Sequence, residues 1–331
     1  MAVINQINPT LIDLVTRQTP EGSVDRAIVE ILNQDNEILE DMVWKNGNQT
    51  DGHLTTIRTG LPTGTFRKLY EFVQPEKSTT VQVRDKTGRL ETFAEVDEAL
   101  LELSDDKAAF LLSENYPFIE GMGQTMASTI FTGNESNTPA KFTGLMPRFN
   151  SKSANNGRNI IDGGSTHNTE NNSIWLVGWG ERSVHGIVPK GAVSGLQQKD
   201  LGIESKENSG GILRVHRTQY NWNCGVCVRD WRFIVRIANI DPTKIVADAA
   251  TGPNLPDLMD QAVDLLPTTS GVKVGWYMNR KMRSGVRRQC KKMTQYTMTE
   301  ERLASGKLLY TYHGIPMRVV DALDINEAKI S

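Results

Sequence analysis

The sequence has little of what chemistry usually requires. Its 331 residues include three Cys and five His. So small and odd a number of cysteines cannot build a disulfide scaffold, and a reducing compartment is expected. His53, His167, His185, His216 and His313 are scattered without metal-ligand spacing. There is no GxxxxGK[ST] phosphate loop, no HExxH, no EF-hand loop and no GxSxG elbow. Gly178-Trp179-Gly180 opens like a dinucleotide loop but lacks the third glycine. No catalytic, cofactor or metal site is therefore expected. An excess of one charge is missing as well, since 37 Lys+Arg stand against 39 Asp+Glu. That balance argues against a protein whose main task is gripping nucleic acid through a basic surface. No apolar run approaches the roughly 18 residues of a membrane helix. The opening MAVINQINPTLIDLV has neither the basic region nor the unbroken apolar core of a secretory signal.

What is present is ordinary globular material. With 38% apolar and 23% charged residues, wholesale disorder, collagen and a coiled-coil rod are excluded. At roughly 150 residues per domain the chain suits about two domains, or one elaborated domain. It reads in five pieces. Thr19-Pro20-Glu21-Gly22 breaks the chain and Ser23 can cap a helix. Val24, Ile28, Ile31, Ile38 and Met42 form its apolar stripe, which Asp35 interrupts, so this helix should lean on another surface. From Leu54 to Val96 strands are expected, with Thr79 to Arg84 and Leu90 to Val96 flanking the turn Asp85-Lys86-Thr87-Gly88. One arm offers only Val81 and Val83, and an isolated hairpin is marginal in water. It needs a surface to lie on, including one on another chain.

The strongest helix runs from Asp105 to Phe131, about 40 Å at 1.5 Å per residue. Ser104 is the expected N-cap, with Asp105 and Asp106 complementing the helix dipole. Ala109, Leu112, Tyr116, Ile119, Met126 and Ile130 fall on one line, with Gly123 in its gap. Pro117 should kink it. A 40 Å helix suits a spine. The tract from Gly133 to Ser173 holds nine Asn and five Gly, a long loop of the kind that is functional or disordered. Strands follow in SIWLVGW, GILRVHRTQYNW and CVRDWRFIVRI, then a short helix over Asp257 to Leu266. The last piece is the strand VKVGWYM, Asn279 as N-cap, a helix from Arg280 to Met293, and the strand pair LLYTYHG and PMRVVDA.

Two elements suggest chemistry. Cys224-Gly225-Val226-Cys227 has the spacing of a redox pair or half a zinc site. Its flanks read as strand and further ligands are distant, so two half-buried strand cysteines are the favoured reading. Arg280, Lys281, Arg283, Arg287, Arg288, Lys291 and Lys292 contain no acid among them, while Met282, Val286, Cys290 and Met293 mark a buried face. The cationic face is either solvated or meets phosphate or an acidic neighbouring subunit.

RTGLPTGTFRKLYEFVQPEKSTTVQVRD, the spine helix ending TIFTGN, and TPAKFTGLMPRF resemble the major capsid proteins of tailed bacteriophages with the Hong Kong 97-type fold. WYMNRKMRSGVRR and YHGIPMRVVDAL add two matches in the right order. The likeness is greatest to the capsid proteins of short-tailed phages. It implies an α+β fold with an N-arm over residues 1–53 and an extended hairpin loop over 54–97. A peripheral domain over 98–149 and 272–331 would hold the spine helix (105–131), and a β-rich axial domain would span 150–271. It implies a shell subunit without catalysis, self-assembling as hexamers and pentamers into the icosahedral head of a virion, formed in the host cytoplasm. Partners would be other copies, a portal, a possible decoration protein and double-stranded DNA held without sequence reading, and no membrane. No long charged N-terminal coiled coil of the kind some relatives use as a built-in scaffold is seen, so a separate scaffolding protein is expected. Arg84, Arg89, Arg280, Arg287 and Arg288 are the candidates for subunit or DNA contacts, chosen by place and charge. Alternatives are the shell of a cellular nanocompartment of the same fold and, unrelated, a thiol oxidoreductase using Cys224 and Cys227.

Overall fold

Unbroken runs of Ile, Val and Trp such as SIWLVGW and FIVRIANI dictate strands buried on both faces, and these build the centre of the molecule. The computed structural model describes residues 36–104, 106–208, 211–245, 252–292, 298–302, 308–324 and 326–331. Helix α1 (Ile38–Asp41) leads to β1 (Trp44–Asn46), β2 (Gly52–Gly60), β3 (Thr79–Lys86) and β4 (Gly88–Asp97). Then come α2 (Glu98–Glu102), the long α3 (Lys107–Thr132), α4 (Leu145–Arg148), β5 (Ile160–Asp162), β6 (Asn172–Trp179) and β7 (Val184–Val188). These are followed by β8 (Leu196–Asn208), β9 (Gly211–Val228), β10 (Ile234–Ile240), α5 (Leu255–Asp264), β11 (Lys273–Met278) and α6 (Arg280–Lys292). Strands β12 (Met298–Arg302), β13 (Leu308–Tyr312) and β14 (Ile315–Val319) come last. The class is the expected α+β. Among the described residues no helix is long and apolar enough to cross a membrane.

Every residue of β6 is buried. It pairs antiparallel with β11 on one edge and β10 on the other. β14 lies parallel to β11, with β13 and β12 beyond it, and β5 lies parallel to β10. One face of this sheet is covered by α5 and α6 through Leu255, Met259, Met282 and Val286, packed on Leu176, Val235 and Trp276. On the other face Trp175, Val177 and Tyr277 meet Ile38, Phe149 and the C-terminal half of α3. Trp179 Nε1 donates to the Tyr277 hydroxyl (2.8 Å), which donates to Asp41 (3.0 Å). Arg318 and Lys273 pair with the same carboxylate at 3.0 and 2.7 Å. Burial, and then Asp41, push the Tyr277 phenol well above its usual range. This donor chain ties α1 to the sheet.

Strand β9 starts as the middle of a long ribbon, with β8 on one edge and β4 on the other, and its last residues, Gly225–Val228, enter the central sheet beside β7. Helix α3 lies on β4 and β9, where Phe118 stacks on Tyr220 at 6.4 Å. Its N-cap is Asp106, whose carboxylate accepts the N–H groups of Ala108 and Ala109 at 3.0 Å. Ser104, expected in that role, is occupied: its own N–H closes α2 on the Leu101 carbonyl. The helix continues through Pro117. At its end Gly133 and Gly144 press against the last turn. A Cβ on Gly144 would lie 2.6 Å from the Ile130 carbonyl oxygen, and one on Gly133 2.6 Å from that of Thr129. That close approach accounts for the two glycines that frame the loop after the helix.

Several expectations are corrected. The hairpin from Thr79 to Val96 does not form. β3 pairs with β2, with His53 opposite Asp85, whereas β4 pairs with β9 along its full length. Asp85 to Gly88 is a crossing between sheets. Its turn chemistry reports local backbone preference, but Ala94 and Val96 gain burial on the long β9 that the exposed β3 could not supply. Helix α3 packs on β4 and β9 and helix α6 on α5 and β14, and the two reach opposite faces of the central sheet. The asparagine-rich tract is ordered by its side chains: Asn159 Nδ2 donates to the carbonyl of Ile234 (2.8 Å), and Asn171 Nδ2 to that of His167 (3.0 Å). Val24, Ile28, Ile31, Asp35 and Met293 lie outside the described residues.

A buried ion pair closes the structure. Arg236 of β10 reaches Glu327 at 2.5 Å, and also donates to Ser173 Oγ and the Phe149 carbonyl, with its guanidinium 4.9 Å from the Trp175 ring centroid. Burial pulls the Arg236 pKa down while Glu327 opposes the shift. Glu327→Ala leaves that guanidinium buried without its counter-charge, and a loss of about 3–5 kcal/mol is expected. A urea unfolding curve of the purified chain measures it, with Glu327→Gln costing less.

Candidate assembly surfaces

The β2–β3 ribbon is rich in Thr, Val and Ile, which favour extended backbone, yet it has no hydrophobic face to bury. Only its root is inside. Gly52, His53 and Asp85 are buried, while most of both strands beyond them is open to solvent. Asp85 pairs with Arg148 at 2.7 Å and accepts the Val228 N–H at 3.3 Å. Arg148 in turn donates to the carbonyls of Thr143 and Val226. The root is thus fixed to α4 and β9. A groove of about 870 Å³ runs beside β2, bordered by Arg58, Arg182, Arg229 and Trp231.

The ribbon ends in the loop 61–78, which exposes Leu61, Phe66, Leu69, Tyr70, Phe72 and Val73, with Tyr70 at 99% and Phe72 at 97%. The loop is nevertheless organised. Glu76 accepts the N–H groups of Thr63 (2.7 Å) and Gly64 (3.2 Å), and these bonds hold its carboxyl below the usual range. Because the folded value is depressed, this clasp is fully present above the ordinary carboxylate pKa and is lost as pH falls through the lowered one. So many large apolar side chains exposed on one loop are a mark of an interaction site. A second bare surface lies on α3, where Leu112 is 73% exposed and Ile119 and Tyr116 about half as much. The expected apolar line is thus buried at Met126 and Ile130 but open toward the N-terminus. Sequence reasoning missed the loop residues. Their signal was FRKLYEFV, in which Phe66, Leu69, Tyr70 and Val73 fall at the i, i+3, i+4, i+7 spacing of an apolar helix face, although the segment is not helical.

The five arginines are all engaged within the chain. Arg84 pairs with Asp51, Arg89 with Glu91 (3.0 Å) and Arg280 with Asp321 (2.9 Å). Arg287 lies over Tyr310 at 4.1 Å and near Glu300, and Arg288 donates to the Ile245 carbonyl. They do not form one cluster. Asn279 caps α6 as expected, its Oδ1 accepting the Met282 N–H at 2.8 Å. Cys224 points into the core, while Cys227 lies on the opposite face of β9 with His185 and His53. Burial pushes both thiols up to about 12. Opposed side chains with such thiols are unsuited to thiol exchange, and the Gly178–Gly180 fragment is plain strand end.

The profile of the family described as major capsid protein GP7 matches residues 19–331. A chain in the cryo-EM structure of bacteriophage Epsilon15 is 32% identical over 100% of this chain and 99% of that one, with a TM-score of 0.80. A chain of the bacteriophage JBD30 capsid has the same fold at TM-score 0.50 and 8% identity, covering 92% of this chain and 99% of its own. The holo-SrpI encapsulin complex of Synechococcus elongatus PCC 7942 reaches only 0.46 at 9% identity, over 70% of this chain and 97% of that one. That is too low to support the nanocompartment alternative. A comparison with curated proteins gives no match.

Replacing Phe66, Tyr70 and Phe72 together by Ser removes apolar area that the free chain does not bury. Its thermal unfolding is expected to stay within about 0.5 kcal/mol of wild type, as for other surface changes, while association of copies is lost. Light scattering and a melting curve on the same sample check both halves.

Proposed function

The chain belongs to the major capsid protein GP7 family, and we propose that it joins its neighbours by laying the β2–β3 ribbon and its apolar loop over the next copy. It is a shell subunit of an icosahedral tailed-phage capsid, and its place is the virion. The observation that carries the joining mechanism is the loop 61–78, whose Phe66, Leu69, Tyr70 and Phe72 stand in water. Covering them yields about 6–12 kcal/mol per ribbon at 1.5–3 kcal/mol per side chain, before the costs of association. Repeated around closed symmetry, such head-to-tail contacts make rings. The open half of α3 is a second contact surface on this reading.

The work is mechanical rather than catalytic. Hexamers and pentamers, a portal, a separate scaffolding protein, a decoration protein and enclosed double-stranded DNA are the partners this reading assigns, with assembly in the host cytoplasm. The packing of α3 on the β4–β9–β8 ribbon supports a peripheral role for that unit. The sheet covered by α5 and α6 then suits the axial role, which moves the Arg280 helix out of the peripheral domain. Arg84 and Arg89, half-exposed near the root of the ribbon, and Arg280, half-exposed beside Asp321, can take a second anionic partner on a neighbour or DNA. Arg287 is held more closely, over Tyr310, whereas Arg288 is exposed and makes a 3.4 Å bond to the Ile245 carbonyl.

Sedimentation of the purified chain, alone and then co-expressed with its natural neighbours, tests this. Megadalton particles with icosahedral outlines in negative stain are expected in the second case. A small species in both would overturn it.

A further inference from the structure

Strands β7 and β9 pair with His185 directly opposite Cys227, so both side chains leave the same face. Cys224, Val226 and Val228 face the core on the other side, as strand alternation requires. The root of the β2–β3 ribbon crosses the face that bears His185 and Cys227. A Cβ on Gly225 there would lie 2.6 Å from the Lys86 carbonyl oxygen and 3.2 Å from Thr87 Cα. The crossing brings in His53 of β2, whose ring meets that of His185 edge-on with centroids 5.9 Å apart. One ligand atom each from His53, His185 and Cys227 lie within 4.8 Å of one another. His185 and Cys227 are wholly buried and His53 nearly so.

His185 distinguishes this cluster from ordinary packing. Both its ring nitrogens are buried and neither has a hydrogen-bond partner, although a neutral imidazole offers one donor and one acceptor. Native interiors rarely leave such groups unmet. Burial, with Arg229 next, lowers its pKa to about 4. Around it, Asn48 N–H donates to His53 Nδ1 at 3.3 Å, and Arg229 Nη2 lies 2.9 Å from His53 Nε2. Thr55 Oγ1 is 3.7 Å from Cys227 Sγ, and Asp85 is close enough to act on the thiol.

We infer that His53, His185 and Cys227 form a binding site for one divalent ion of the zinc type, which pins the root of the ribbon to the β7–β9 pair. Two imidazoles and a thiolate are a donor set that zinc favours. With Zn–N near about 2.0 Å and Zn–S near about 2.3 Å, the ligands close by roughly an ångström when the ion enters. Cys227 gives its proton to solvent and its sulfur lone pair to the metal, and Asp85 adds negative charge beside the ion. A metal at one His53 nitrogen leaves the other as N–H, so both the Asn48 N–H and Arg229 must release the ring as the ion enters. The groove along β2, which Arg229 and His53 border, supplies the route and the room. The site stands on this chain's own geometry and does not depend on how copies join.

The test uses the purified full chain, as free subunit and as particle, stripped with a chelator and then given Zn²⁺ or Co²⁺. After dialysis, mass spectrometry of the metal is expected to find about one zinc per chain. Cobalt should give tetrahedral visible bands and a thiolate-to-metal band in the near ultraviolet. Cys227→Ser, an isosteric change, should remove the thiolate band and weaken zinc binding at least about tenfold, the loss that even outer-shell changes cause. His53→Gln, nearer the surface, should weaken it likewise, while Cys290→Ser should change nothing. Folded wild-type protein that holds no more zinc than Cys227→Ser would overturn the site. So would a thiolate–cobalt band that survives in that variant.

Discussion

A two-stranded ribbon open to water on both faces can be aimed only through its root, and here the root is Asp85. Its buried carboxylate pairs with Arg148 and accepts the Val228 N–H. Arg148 is itself tied to the backbone of Thr143 and Val226. One charge pair thereby fixes the ribbon to the loop after the spine helix and to the strand on which that helix lies. Removing either partner would leave the other buried and uncompensated, which is the costly way to break such a pair. Everything beyond the root depends on that anchor for its direction, because the bonds that organise the far loop, Glu76 with Thr63 and Gly64, lie within the loop itself.

The apolar surfaces divide cleanly between the chain and its assembly. Trp175, Trp179, Trp276 and Tyr277 are sealed inside. Phe66, Leu69, Tyr70 and Phe72 are not. Charges follow the opposite logic. The arginines that looked available in the sequence have found carboxylates, rings or carbonyls in their own chain, and a surface ion pair adds only about 0–1 kcal/mol. On the proposed reading, apolar cover rather than charge carries the joining.

Much of this was legible in the sequence, and the rest was hidden for a physical reason. The spine helix, the Asn279 cap and the strand pair at Thr311–Pro316 announced themselves through local periodicity and turn chemistry. The pairing of Thr79–Lys86 did not. Both Gly52–Gly60 and Gly88–Asp97 are plausible neighbours by composition, and the choice was made by the distant β9. The cap at Asp106 was missed by two residues because Ser104 belongs to the preceding turn. Cys227 stood out only beside Cys224, and its grouping with His53 and His185 gave no motif, since strand register and a crossing ribbon bring the three together across more than a hundred residues of chain. The loop aromatics were visible as letters, but their exposure became apparent only once the ribbon stood clear of the body.

The central claim is that the loop 61–78 is covered by a neighbouring copy in the shell. Its most direct test is a solvent-sensitive fluorophore on Tyr70→Cys, feasible because Cys224, Cys227 and Cys290 are buried. Labelled subunits are mixed sparsely with unlabelled ones and followed through assembly. The account predicts water-like emission in the free subunit and a blue shift when shells close. Emission that stays water-like in closed shells would contradict it.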